Sequence, residues 1–328
     1  MRLRSSTGRQ TWGSSAWGDS VEWERLAEHL KKQITGEVKV QEPLKNYTSW
    51  RIGGPADLLV VPGTLEDLRV CLSFARDHGV PLTVLGNGSN VLVLDGGIRG
   101  LVVKTAGGLS GIRVQGERVT AEAGAMLPVL VNTVIRYGLT GLEFAAGIPG
   151  TVGGAVVMNA GAEGQSISEV VEEVTVLRTD GEFVSLGKKD LTFGYRHSSL
   201  QEHPVTVAAV VMGLRPGNIQ EITDRVRRLL EVRRKRQPLN RPNAGSVFTN
   251  PGPQAAGYLI EKVGAKGLTR GRAQVSSVHA NFIVNMGGAT AADVLDLIEE
   301  VRERVRREFG ISLKTEIKVL GEGLSTGS

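Results

Sequence analysis

Leu82-Thr83-Val84-Leu85-Gly86-Asn87-Gly88-Ser89-Asn90-Val91-Leu92-Val93-Leu94 is the stretch on which the fold turns. Four β-forming residues run into a Gly-Asn-Gly-Ser-Asn loop, and a second β run follows at once. Successive backbone N–H groups in such a loop can form an anion-binding nest, with Asn and Ser side chains as further donors. A dinucleotide fingerprint of the nicotinamide-binding type needs a helix after its glycines. Residues 91–94 read as strand instead, so that fold is disfavoured. Alone, the loop also fits a tight hairpin connection. Upstream, a strand at 57–61 leads into Thr64-Leu65-Glu66-Asp67, which resembles a capping box with Asp in the Glu position. A helix then runs to about His78 and stops at Gly79, so the first unit reads βαβ. A helix at 21–34 precedes it, with Leu26, Leu30 and Ile34 on one stripe and Trp23 a turn earlier.

Downstream the pattern changes. Short β runs stand at 101–105 and 119–123. A helix from about Pro128 buries Leu130, Val131, Val134 and Ile135 and ends at Gly138, and β runs follow at 170–179, 182–186 and 206–214. Small βαβ pieces alternating with antiparallel strands predict an α+β fold, not a doubly wound sheet. A basic helix at 219–236 ends at Gln237-Pro238. Beyond it the pattern predicts a helix at 255–263, a strand at 281–286, a helix at 291–309 and a last strand at 314–320. This organisation predicts a flexible tail at 1–20, a first domain at 21–218 and a smaller α+β domain at 219–328.

Composition narrows the function. Glycine accounts for 43 of 328 residues, about 13% against a usual level of roughly 7%, without a fixed period. The net charge is +5 and the pI near 9.4, which favours anionic small molecules or phosphates. The basic segment 225–241 lacks the aromatic interleaving of a nucleic-acid binder, so no nucleic-acid partner is expected. No run of 18 apolar residues exists, and the N-terminus has no apolar signal core, so no membrane partner is expected. Cys71, the one cysteine, excludes an intrachain disulfide and fits a reducing cytoplasm; its stripe with Leu68, Leu72 and Ala75 reads as core. The histidines are too scattered for a metal site.

A second glycine-rich stretch, Gly147-Ile148-Pro149-Gly150-Thr151-Val152-Gly153-Gly154, lets backbone approach a ligand closely. It is not a P-loop, since no GxxxxGK[ST] occurs. Two such loops in one domain point to a cofactor carrying a pyrophosphate.

Several runs together resemble the UDP-N-acetylenolpyruvoylglucosamine reductase (MurB) family, in the family's order over roughly 40–321. They are Asn46-Tyr47-Thr48-Ser49-Trp50-Arg51-Ile52-Gly53-Gly54-Pro55-Ala56, Leu85–Asn90, Gly147–Gly154, Gly194-Tyr195-Arg196, Asn243-Ala244-Gly245-Ser246-Val247-Phe248 and Leu313-Lys314-Thr315-Glu316-Ile317. The resemblance implies an FAD-binding module of the vanillyl-alcohol-oxidase/PCMH type followed by a smaller substrate-binding domain. It further implies reduction of non-covalent FAD by NADPH, then of a UDP-sugar enolpyruvate to UDP-N-acetylmuramate. That is a step of peptidoglycan precursor synthesis, and hence of cell-wall biogenesis, cell shape and cell division. An FAD-dependent oxidase of a hydroxy acid or alcohol is the competing expectation on the same module.

By resemblance, Asn87, Gly88, Ser89, Asn90, Gly147, Gly150, Thr151, Gly153 and Gly154 contact the flavin cofactor. Arg196 clamps the substrate carboxylate, Ser246 donates a proton to the enolate carbon, and Glu316 polarises the intermediate, best as a proton-bearing, buried acid. Tyr195, Arg236, Asn250, His279 and Asn281 are the expected substrate contacts, with Arg233, Arg234, Lys235 and Arg241 as further cations for the diphosphate. Thr249 stands where many family members carry lysine. The short stretch 197–205 resembles the subtype without a substrate-covering insert.

Overall fold

Leu58, Leu59 and Val60 are all buried, although a strand sends neighbouring side chains to opposite faces. Their sheet must therefore be covered on both sides. The computed structural model describes residues 20–323, so the expected tail lies, apart from Ser20, outside the described residues. In it β1 (Glu37–Pro43) runs antiparallel to β2 (Pro55–Val61). Helix α2 (Leu65–Asp77) then leads to β3 (Leu82–Leu85), and β4 (Val91–Val93) leaves for another sheet. β5 (Ile98–Lys104) inserts between β2 and β3, parallel to both. Leu58, Val60, Leu101 and Val103 face α1 (Ser20–Lys31) and α2, packing with Trp23, Leu30, Leu68 and Cys71. Leu59 and Val102 face the opposite way, with Leu44, Leu85 and Val93.

The first unit is βαβ, as expected, with one strand interposed. The Thr64 hydroxyl accepts the Asp67 N–H, while Asp67 reaches back to Gly63 and Thr35 instead of closing a reciprocal box. The loop 86–90 is not a hairpin, because β3 and β4 belong to different sheets.

A second, antiparallel sheet runs in the order Phe183–Gly187, Val171–Arg178, Val205–Gly213, β7 (Arg118–Glu122) and β6 (Ile112–Gln115). Helices α3 (Leu127–Arg136) and α4 (Val152–Val157) share its core. Within the glycine-rich run the chain turns helical at Val152, where a continuous loop was expected. Helix α5 (Ile219–Arg236) buries Ile222 and Val226, and Val226 joins this same core. The change of core therefore falls after α5, not at 218.

The remaining chain builds α6 (Ala256–Lys262), strands Ala273–Val275 and Ile283–Asn285, and α7 (Ala291–Phe309). α7 buries Val294, Leu297, Ile298, Val301 and Val305, starts in a Thr290–Asp293 capping box and ends at Gly310. The last strand is only Lys318–Leu320 and pairs in parallel with β4. Glu316 precedes it, contrary to the expected strand at 314–320. Among the described residues no helix is long and apolar enough to cross a membrane.

Side-chain hydrogen bonds fasten the two halves. The Trp50 indole N–H donates to the Ile283 carbonyl at 2.9 Å, and the Asn285 amide donates to the Trp50 carbonyl at 3.0 Å. Asp95 accepts the N–H groups of Ala291 and Ala292 at 2.8 and 3.1 Å, at the start of α7. Trp50 itself is fully buried among residues of the second half. Trp50→Phe keeps most of the apolar contact but leaves the Ile283 carbonyl without its donor. It should cost about 1–3 kcal/mol, read as a lowered urea midpoint; an unchanged midpoint would refute the fastening role.

Candidate active site

Three parallel strands end on one side of the first sheet, and the loop after β3 opens there. Ligands of such sheets sit beyond the carboxyl ends of the strands. Gly88 has φ +65°, and a Cβ on it would collide with the Tyr47 carbonyl oxygen, so only glycine lets these two backbones meet. The Gly88 carbonyl accepts the Ser49 N–H at 3.0 Å, and the Ser49 hydroxyl donates to the Asn243 carbonyl at 2.7 Å. The amide of Asn87 donates to the Pro149 carbonyl at 2.6 Å, tying the first glycine loop to the second.

Fit to a diphosphate-bearing group such as FAD rests on two observations. The backbone N–H groups of Asn87, Gly88, Ser89 and Asn90 donate to no acceptor among the described residues, so four consecutive donors stand unengaged. A Cβ at Gly147 would stand 2.7 Å from Cδ of Arg233, so the bare backbone admits that side chain against the loop. Burial depresses the pKa of Arg233, which has no carboxylate partner among the described residues. Of the basic run, Arg233 is thus the cation at the glycine loops, whereas Arg236 is exposed. Not every expected glycine faces this space. Gly153 is buried, donates to the Ala123 carbonyl at 2.9 Å, and would meet the Ala123 Cβ at 2.8 Å if substituted. Its lack of a side chain serves packing behind the loop. Thr151 caps α4 by accepting the Gly154 N–H at 3.3 Å.

Arg196 and Glu316, 120 positions apart, meet with Nε donating to Oε1 at 2.7 Å. Both are partly buried. Burial pushes the Glu316 carboxyl above its ordinary value of 4.5, against the opposing pull of Arg196. Glu316 is held by its backbone: its N–H donates to the Val247 carbonyl at 2.8 Å, and its carbonyl accepts the Asn90 amide at 3.3 Å. Ser246, next to Val247, is half-buried and its hydroxyl bonds no other described residue. Tyr195 is 59% exposed, its ring 5.2 Å from the Arg196 guanidinium carbon. Between Arg196 and the strand Val205–Gly213 the chain makes one 3-10 turn, Ser199–Gln201, after the short strand His197–Ser198.

The other expected substrate contacts are engaged elsewhere. Asn281 is buried, and its amide both accepts the Phe248 N–H at 2.9 Å and donates to the Phe248 carbonyl at 2.8 Å. It is 4% exposed and positions the Ser246 loop. His279 accepts the Asn281 N–H at 3.2 Å and packs edge-on to Phe282, so it supports the same turn. Asn250 accepts the Ala256 N–H at 2.9 Å at the start of α6. Thr249 binds the Lys314 carbonyl through both N–H and hydroxyl, fastening the chain just before Glu316. Sequence reasoning missed Asn159. Its amide donates to the Gly194 carbonyl at 2.8 Å and steadies the turn that carries Arg196. Among the described residues no cluster of His, Cys, Asp and Glu could hold a metal ion.

The raised pKa of Glu316 fixes a sign. An acid whose folded value exceeds its unfolded value contributes stability fully at low pH, and that contribution is lost as pH rises through the folded value. Glu316→Gln should therefore flatten the decline in stability from about pH 4.5 upward, read as urea midpoints across pH 4–8. A variant that follows the parent at every pH would contradict the shift.

Comparison with known proteins accords with this geometry. Residues 237–320 match the family model described as UDP-N-acetylenolpyruvoylglucosamine reductase, C-terminal domain, and residues 56–187 match an FAD binding domain. The UDP-N-acetylenolpyruvoylglucosamine reductase of Moorella thermoacetica is 53% identical over 299 residues, covering 91% of this chain and 98% of that protein. The one from Rubrobacter xylanophilus is 49% identical over 285 residues, 87% of this chain and 95% of that protein. The crystal structure of the Thermus caldophilus enzyme superposes with a TM-score of 0.75 at 39% identity, covering 88% of this chain and 99% of that one. With both halves matched and relatives 49–53% identical over most of its length, the chain belongs to the UDP-N-acetylenolpyruvoylglucosamine reductase family.

Proposed function

We propose that this FAD-dependent oxidoreductase reduces UDP-N-acetylenolpyruvoylglucosamine to UDP-N-acetylmuramate at the expense of NADPH, and that Arg196, Ser246 and Glu316 carry the substrate half of the reaction. The observation that carries this reading is the Arg196–Glu316 contact at 2.7 Å, with Glu316 held by a backbone hydrogen bond to the Ser246 loop and by the Asn90 side-chain amide of the first glycine loop. When bound, FAD supplies the two-electron carrier that links NADPH to the enolpyruvyl methylene carbon. The chain's own residues do the rest. The Arg196 guanidinium holds the substrate carboxylate through paired N–H donors and stays charged throughout. That charge also stabilises the enolate that develops next to the carboxylate. The free Ser246 hydroxyl supplies the proton that the enolate carbon requires, and no neighbouring base is needed because the serine is not a nucleophile.

Glu316 changes partner in this scheme. A substrate carboxylate that takes the guanidinium leaves Glu316 with burial alone acting on it. Burial favours the protonated acid, which can then donate a hydrogen bond to the developing enolate. Arg233 and the exposed cations around it give the nucleotide diphosphate an attractive approach. The reduced single cysteine, buried and with its thiol pushed up to about 12, fits an enzyme of the cytoplasm.

Ser246→Ala separates the two halves of turnover. It should bind FAD, and NADPH should bleach the flavin absorbance at nearly the parent rate. Return of the colour on adding the enolpyruvyl sugar should slow by roughly 100-fold or more, the scale of a positioned acid. Arg196→Lys should weaken substrate affinity as well as rate, because the charge remains but the paired clamp does not. Stopped-flow absorbance resolves both phases. Equal slowing of the two phases by Ser246→Ala, or slowing of neither, would remove Ser246 from the mechanism.

A further inference from the structure

Lys104 ends β5 where that strand pairs with Leu85, the residue before the first glycine loop. Its side chain is almost wholly buried, with 9% exposure. Its Nζ donates to the Gly86 carbonyl at 3.2 Å, and no carboxylate among the described residues pairs with it. It lines a cavity of about 170 Å³ with Asn46, Tyr47, Thr48, Ser49 and Asn87. A buried ammonium is rare without a counter-charge, and one carbonyl dipole does not replace a hydration shell. Tyr47 is the other titratable group on this cavity, and its hydroxyl is already engaged by Lys39 and Glu42. Of the carboxylates in this half, Asp57 binds Arg99, Asp95 binds the start of α7, Glu122 accepts the Gly111 N–H, and Glu117 is exposed.

We propose that Lys104 is a cofactor-binding residue whose ammonium neutralises the diphosphate of the bound dinucleotide, beside the unengaged N–H groups of 87–90. This rests on the flavin reading above. Three features of the site favour the diphosphate over the flavin ring as its partner. The ammonium lies on the carbonyl of the first loop residue, the neighbouring donors form an anion nest, and the strand end is where α/β sheets receive phosphates. Burial lowers the pKa of this lysine to about 8, so an arriving anion also draws a proton onto it near that pH.

The test uses the full chain stripped of flavin, with FAD and ADP as probes. Lys104→Met should weaken both by the same factor, about 10- to 100-fold, the range of a charge-assisted hydrogen bond. Lys104→Arg should recover most of that loss. The reduction potential of the flavin that does bind should not move. Without ligand, Lys104→Met should unfold at the parent's urea concentration or above, because it removes an uncompensated buried charge; a merely structural lysine would give the reverse. Unchanged FAD and ADP affinities would overturn the proposal. So would a shift in flavin potential with ADP affinity intact, which would assign the cation to the ring. Failure of the parent chain to take up FAD would overturn the flavin reading itself, and this proposal with it.

Discussion

The site depends on one strand pairing. Lys318–Leu320 joins β4 in parallel, and the connection between these two strands is the whole of the intervening chain. From that pairing the Lys318 N–H meets the Asn90 carbonyl at 3.0 Å, the Asn90 amide meets the Glu316 carbonyl, and the Glu316 N–H meets the Val247 carbonyl. A continuous line of hydrogen bonds, one of them from the Asn90 side chain, thus runs from the first glycine loop through Glu316 to the Ser246 loop. Closing so long a connection costs loop entropy, which the contacts made across the pairing must offset. The loop 86–90 leaves a strand held by β5 within the first half, whereas Glu316 is brought to it only by the far end of the chain. The Trp50 and Asp95 bonds, made from a buried indole and a half-buried carboxylate of the first half, hold the second half against it.

How legible the molecule was in its sequence follows the range of the interactions. The strand at 82–85 and the helix at 291–309 were readable to the residue, because β-forming composition and an apolar face of Val294, Ile298, Val301 and Val305 act within one element. The order of strands was not readable: nothing local says that β5 slips between β2 and β3, or that β4 pairs with Lys318–Leu320. Hence the hairpin alternative for 86–90 stayed open until the sheets were known. The expected strand at 314–320 failed at its start for the same reason. Residues 314–316 bond the 247–249 segment, one isolated bridge and single hydrogen bonds, not a ladder.

Polar residues divided in an instructive way. Asn281 and Asn285 have the composition of ligand contacts, yet both donate to and accept from buried backbone, and Asp95 accepts two helix N–H groups. Irregular loops bury backbone groups that no ladder satisfies, and asparagine, with a donor and an acceptor on one short arm, is suited to satisfy them. A sequence shows the residue type but not whether backbone or ligand claims it. Lys104 is the converse case. Its one sequence signal was a charge at the carboxyl end of an apolar parallel strand, and the absence of a carboxylate around it only became visible in three dimensions.

The turn that presents Arg196 shows how the two halves of the site share one scaffold. Arg196 has φ +55° and Asn159 φ +43°, both in the left-handed region, where a side chain with a Cβ costs of order 1–3 kcal/mol. Asn159 lies just beyond α4, and its amide fixes the Gly194 carbonyl. From the other side, Ser198 and Gln201 donate to the Val157 carbonyl at 2.7 and 2.9 Å, at the last residue of the same helix. Three side-chain hydrogen bonds therefore tie the arginine turn to the end of α4, whose first turn follows the second glycine loop. A helix of 6 residues is only about 9 Å long, so the second glycine loop and the Arg196 turn sit at opposite ends of one short rod. The three hydrogen bonds offset the cost of the left-handed backbone at Arg196, whose Nε donates to Glu316 at 2.7 Å.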